Sequence, residues 1–417
     1  SDRSDEDILK HFLAAKLPKR MVSDFLVFFE AVEGPVAIRS SSLLEDSQYQ
    51  PFAGIYATYM IPYVNDKYEM VRLLSNAIKA VYASAFYKDS KAYMVATQNL
   101  IDQEKMAIVL QEVVGSQYGK LYYPAISGVA RSINYYPIGD EKTEDGIVNM
   151  AFGLGKYIMD GNNGLRFSPL HASRILQLSS LELALRDTQT QFFALDLDSV
   201  SKDFTIDDGF NLLKLRLREA EKDGPLRYVA STYDPQDQII RDGFYEGGRK
   251  IISFASILQN DMFPLSEVLD KLLKAGQKEM GRPVEIEFAV DISNPQFGSF
   301  YVLQIRPIVD SKEVVHEDLE KIAINKTVLF SRNALGNGIS NDVYDVVYVK
   351  SSAFNAAMNP VIAREIEDLN KTFAAAGTNY VLVGPGRWGS SDPWLGIPVK
   401  WTHISQARVI VESGMEN

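Results

Sequence analysis

The chain has 417 residues, 46% of them hydrophobic and 23% charged, with a formal net charge of −11 and no cysteine. That length exceeds what one ordinary core organises, so two or three domains are expected. The composition excludes disulfides, thiolate zinc sites and cysteine nucleophiles, and the negative charge, with no Lys/Arg stripe, argues against a nucleic-acid partner.

Residues 5–33 carry helical spacing, with Ile8, Phe12, Leu13 and Leu17 on one face and a second apolar series from Val22 to Val32, which predicts two short helices. Gly34-Pro35 breaks the pattern before a strand over 36–38, and another helix is expected from about 69 to 87. The stretches IVLQEVV (108–114), ISGV (126–129) and IVNMAF (147–152) read as strands of a sheet-built lobe. Helical periodicity returns over 173–187, 208–222 and 264–280. Two strands, VEIEFAV (284–290) and FYVLQIR (300–306), then predict a hairpin. A charged amphipathic segment over 311–321 reads as a linker helix, so a boundary near 310 separates residues 1–310 from a smaller C-terminal α/β block over 311–417. No segment is apolar enough for long enough to cross a bilayer, and the N-terminus lacks the layout of a signal peptide, so no membrane partner and a cytoplasmic location are expected.

Three places could carry chemistry. In VAIRSSSLLEDS (36–47), a strand runs into Arg39 and three serines; a guanidinium offers forked donors to phosphate oxygens, and small residues let backbone approach a ligand. Taken alone, the stretch favours a strand leaving the core with a solvated arginine and a serine turn capping the next helix. In the hairpin, side chains two apart share a face, so Glu285 and Glu287 project together, and Gln304 and Arg306 do the same on the partner strand. Paired carboxylates facing phosphate oxygens suit Mg²⁺. The same alternation is the ordinary pattern of a solvated face with Arg306 as ion-pair partner. Gln111 and Glu112, at the end of an apolar run, are candidates for a purine edge.

Together these stretches resemble a known family. IRSSSLLEDS followed by FAG (52–54), SGV (127–129), GLG (153–155) with Gly161, and EIE (285–287) followed by LQIRP (303–307) are similar, in order, to the motifs of the ATP-binding domain of phosphoenolpyruvate synthase and pyruvate phosphate dikinase. The resemblance spans about 34–310 and implies an α+β, ATP-grasp-like fold with two lobes around ATP. It implies that Arg39 meets the phosphates, that the loop around Gly54 covers them, and that Gln111 and Glu112 lie near the adenine. Glu287, with Glu285 and Gln304, would hold Mg²⁺, and Arg306 would bind the transferring phosphates. Such a kinase or phosphotransferase passes phosphate from ATP to a histidine on a mobile domain, and from there to pyruvate.

The chain departs from that pattern in several ways. It lacks the family's N-terminal glycine-glycine-lysine segment, carries Lys156 where glutamate usually follows GLG, and has Leu43 and Leu44 before Glu45 and Asp46. His171 in SPLHAS (168–173) lacks the glycine context of a carrier histidine and reads as structural. Nor is there room for the pyruvate barrel, which takes about 250 residues. The carrier and pyruvate domains are thus expected elsewhere in a longer chain. The alternative is a catalytically weakened nucleotide-binding or interaction module of a regulatory protein. Finally, GPGRWG (384–389) matches a dinucleotide-binding pattern after a strand, but the prolines that follow oppose the helix such a loop must open. It reads either as a docking loop, with Arg387, Trp388, Asp392 and Trp394 as contacts, or as a structural turn.

Overall fold

The computed structural model describes residues 3–42, 56–96, 105–135, 137–222, 224–293, 298–308, 327–331, 340–350, 358–390 and 396–413. The two expected N-terminal helices are Asp5–Ala14 and Lys19–Ala31. The first is capped by the Ser4 hydroxyl, which accepts from the Asp7 amide, and Asp5, Glu6 and Asp7 sit in its electropositive first turn. Ile8, Leu9, Phe25 and Phe29 turn inward and join the core of the longer helix Lys67–Ser84, which starts where Asp66 accepts from the Tyr68 and Glu69 amides.

The same core includes a three-stranded antiparallel sheet in the order Tyr59–Ile61, Val36–Ser42, Met106–Glu112. Val36 and Ile38 are fully buried with the helices, so alternation turns Ala37 and Arg39 to the opposite face, where Ala37 joins a second and larger core. This alternation decides where the arginine points.

The second core is built on a five-stranded antiparallel sheet, ordered Ser299–Pro307, Val284–Asp291, Ile126–Arg131, Ile147–Ala151, Leu165–Phe167. The amphipathic helix Leu265–Met280 lays Leu265, Leu269 and Leu273 on it, against Val284 and Ile286. A four-stranded sheet (Leu212–Arg216, Gln191–Asp196, Leu121–Tyr123, Ser116–Tyr118) and a three-stranded one (Ile239–Arg241, Ala230–Asp234, Arg249–Ile252) contribute to the same core. The mixture of helices with mainly antiparallel sheets agrees with the α+β class.

Two expectations fail locally. The helix expected over 208–222 is a strand, Leu212–Arg216, followed by a 3-10 turn, Leu217–Ala220. Its leucines match a helical spacing, but pairing with Gln191–Asp196 gives them neighbours in a sheet, and tertiary contact overrides the local pattern. Over 173–187 only Leu181–Asp187 is α-helical, beginning at the Ser180 cap. The linker helix expected over 311–321 lies outside the described residues.

In the C-terminal block, the strands Asp345–Tyr348, Tyr380–Pro385 and Ala407–Ser413 pair in parallel, with the helix Asn359–Ala376 crossing between the first two. Buried Asn370 ties this unit together, accepting from the Tyr380 hydroxyl and the Gln406 amide and donating to Thr402 and Ser405. Among the described residues no helix is long and apolar enough to cross a membrane.

Candidate functional site

The strand Val284–Asp291 runs between two antiparallel neighbours. Glu285 stands opposite Arg306 on one side and Arg131 on the other; Glu287 stands opposite Gln304 and Val129. These residues share the sheet face turned away from the helix Leu265–Met280, as period-two alternation requires. The expected convergence of two acids, an amide and a cation is present.

Arg39 reaches this face from the other sheet. Its Nη2 donates to Glu287 Oε2 at 2.7 Å and to Gln304 Oε1 at 2.9 Å, across 248 and 265 positions of chain. Arg306 donates from Nε to Glu285 Oε1 at 2.9 Å, and from Nη2 to Glu287 Oε1 at 3.4 Å. Arg131 donates from Nε to Glu285 Oε2 at 2.6 Å. The Glu285 and Glu287 side chains are each only 12% exposed, which makes these charge-assisted bonds stronger than surface pairs. Burial alone would raise the Glu285 carboxyl, but Arg131 and Arg306 outweigh it and hold the group below the usual carboxylate range.

The pairing of the outer strand shifts register after Glu287. Glu287 pairs with Gln304 and Phe288 with Val302, so Leu303 is skipped, and its carbonyl accepts from Gln111 Nε2 at 3.1 Å. Gln111 therefore joins the site. Glu112, one residue on, alternates to the other face, beside Gly34. Burial first, and then the Glu112 charge, pushes the Tyr122 hydroxyl up to about 12.

The glycine motifs serve the same neighbourhood. A small pocket beside Glu287 is walled by Ser127, Val129, Gly155, Met159 and Leu303. A Cβ on Gly128 would lie 2.5 Å from the Phe288 ring, so only glycine lets the two strands pair with that ring between them. Lys156, just after GLG, is held by Asp160 at 3.2 Å and Asp208 at 3.3 Å. Burial would lower its pKa, but these two carboxylates raise it.

Gly54 lies outside the described residues, as do Leu43, Leu44, Glu45 and Asp46. His171 ends the 3-10 turn Pro169–His171 and contacts Asp145 at 3.1 Å. In the C-terminal block, Gly389 is followed by no described helix; Arg387–Trp388 is a short strand paired with Gly396–Ile397. The Trp388 ring lies over Gly384, and its Nε1 donates to Val411 at 3.1 Å. Trp388 is thus committed to packing; Asp392 and Trp394 lie outside the described residues.

Sequence reasoning passed over Arg131. The signal was there, because Ser127, Val129 and Arg131 alternate onto one face, but nothing in the sequence says which strand lies alongside.

Glu287 and Gln304 also bear on a metal. Among the described residues no group of three or more His, Cys, Asp or Glu gathers to hold an ion. Two hard oxygens, one from each of these residues, nevertheless converge on a single cationic nitrogen of Arg39. Mg²⁺ commonly takes one or two carboxylates and completes its shell with water and phosphate oxygens, so this pair fits an ion that arrives with a polyphosphate rather than one held in an all-protein cage.

The chain is similar to known proteins. A family model described as "Pyruvate phosphate dikinase, AMP/ATP-binding domain" matches residues 2–326, well over half the chain. The "Uncharacterized phosphotransferase YvkC" of Bacillus subtilis (strain 168) is 30% identical over 162 residues, a match that covers 39% of this chain and 17% of that protein.

Proposed function

The chain belongs to the pyruvate phosphate dikinase AMP/ATP-binding domain family, and from that premise we propose that residues 1–310 form an ATP-grasp-like site binding ATP with Mg²⁺. In this reading the site starts phosphate on its way to a carrier histidine outside the chain, with pyruvate-handling domains in a longer polypeptide, as a dikinase-like phosphotransferase would require. The observation that carries the proposal is Arg39 Nη2 bridging Glu287 and Gln304 from a different sheet. The two oxygens that accept from Arg39 could be taken by a divalent metal, freeing the guanidinium to meet the phosphate oxygens that arrive with it.

The proposed roles follow from chemistry. Arg39 and Arg306 neutralise phosphate oxygens with forked donors. Glu287 and Gln304 supply the metal's protein oxygens, with Glu285 as a further candidate. Gln111 lies toward the adenine, Glu112 faces away from it beside Gly34, against the expectation that both flank the base, and the loop around Gly54 covers the phosphates. The metal, when bound, would supply charge neutralisation across the phosphate chain. Phosphoryl transfer asks little covalent work of the protein, so positioning and electrostatics are what these side chains contribute.

The test is calorimetry with Mg-ATP beside a transfer assay using γ- and β-labelled ATP, with the full-length polypeptide as acceptor. Binding accompanied by label on a histidine supports the proposal. Binding with no label transferred supports the alternative, a nucleotide-binding module without turnover, and absence of binding overturns both.

A further inference from the structure

The five side chains of the charge cluster do not balance. Arg39, Arg131 and Arg306 face Glu285 and Glu287, so among these five one positive charge is left over, in a chain whose net charge is −11. Glu285 takes an arginine on each oxygen: Arg306 on Oε1 and Arg131 on Oε2. One arginine would neutralise it; the second must answer to something else. Arg131 uses only Nε in its bond to Glu285, its terminal nitrogens donate to no described residue, and its side chain is 41% exposed. An arginine fixed at Nε and open at both terminal nitrogens is a preoriented fork for an anion.

We infer that Arg131 is a third phosphate-binding cation of this site, and that Glu285 is a positioning residue that aims Arg131 and Arg306 rather than a ligand to the metal. The inference rests on the nucleotide-site reading above. Position along the strand selects the ligand: the Glu285 row lies two residues, roughly 7 Å, from the Glu287 row. A ligand that reaches both rows needs an extended chain of phosphates, so Arg131 recognises the polyphosphate of a nucleoside triphosphate and contributes nothing to a monophosphate.

The experiment compares ATP and AMP binding, each with Mg²⁺, by calorimetry on wild type, Arg131→Ala, Arg131→Lys, Glu285→Gln and Arg39→Ala, with thermal melts to establish that each variant is folded. Arg131→Ala is expected to weaken ATP about tenfold and leave AMP unchanged, with partial recovery in Arg131→Lys. Glu285→Gln, which keeps one acceptor oxygen, turns the other into an NH2 donor and loses the charge that orients both arginines, is expected to weaken ATP similarly while retaining the magnesium dependence of binding. Unchanged ATP affinity in Arg131→Ala, or equal losses for ATP and AMP, overturns the inference. If Arg39→Ala weakens ATP and Arg131→Ala does not, the nucleotide site stands and only this inference falls. If the wild type binds no ATP, or Arg39→Ala changes nothing, the site reading falls with it.

Discussion

The acidic rows of Glu285 and Glu287 and the glycine loop at 384–389 both start as short patterns, and they differ in what their residues touch. At the first, charges from separate strands of two sheets converge, and Arg39 crosses between the sheets to two oxygens. At the second, a glycine pattern that matches a nucleotide motif is taken up by packing: Gly384 makes room for the Trp388 ring, and Trp388 is hydrogen-bonded to Val411 and Glu412. A motif contained in one stretch can be satisfied locally by its own neighbours. Polar groups brought together across 248 positions need a reason outside any one stretch.

The sharpest way to break this contrast is Arg39→Ala. Removing the one donor shared by Glu287 and Gln304 should weaken Mg-ATP about a hundredfold while leaving adenosine nearly unchanged, in line with charge-assisted contacts of about 1.5–3 kcal/mol. Equal losses for both, measured by calorimetry, would make the arginine structural.

Gly384→Ala probes the other side. Its Cβ would lie 2.3 Å from the Trp388 ring, so overpacking of about 1–3 kcal/mol should lower the melting temperature while ATP affinity stays constant. A large loss of ATP affinity in a folded variant would show that the loop takes part in binding.

A smaller effect is expected from pH. Glu285 has its carboxyl held below the ordinary value of 4.5, so its ion pairs stabilise the fold above that pH and the contribution is lost as pH falls through the lowered value. Wild type should therefore lose stability relative to Glu285→Gln as pH drops below 4.5, in urea melts across the acid range; parallel curves would contradict the ion-pair account. The smallest change belongs to His171→Ala, which removes one contact to Asp145 and should cost under about 1 kcal/mol without affecting ATP binding or transfer. Loss of labelled-phosphate transfer in that variant would restore His171 as a carrier.

Much of the site was legible because strands report their own faces. Glu285 with Glu287, and Gln304 with Arg306, could each be put on one face from period two, and one hairpin could set the pairs side by side, as observed; the register shift after Glu287 was not legible. The direction of Arg39 was not legible, because the strand is expected only over 36–38; in the structure it runs Val36–Ser42, and the buried Val36 and Ile38 set the arginine's face. The face of Arg131 was legible but its partner was not, since the Arg131–Glu285 contact joins strands 154 positions apart. The strand Leu212–Arg216 was misread for a related reason: its leucines satisfy two periodicities, and only the neighbouring Gln191–Asp196 decides between them. Local pattern sets which way a side chain faces, and long-range pairing sets what it meets.

The claim on which the account depends is that Glu287 and Gln304 offer a metal the oxygens that Arg39 now bridges. Calorimetric titration of ATP with and without Mg²⁺ into wild type and Glu287→Gln, both checked for folding by thermal melts, tests it directly. Magnesium should strengthen ATP binding to the wild type at least tenfold, and that difference should vanish in Glu287→Gln. The same magnesium dependence in both proteins would contradict the account.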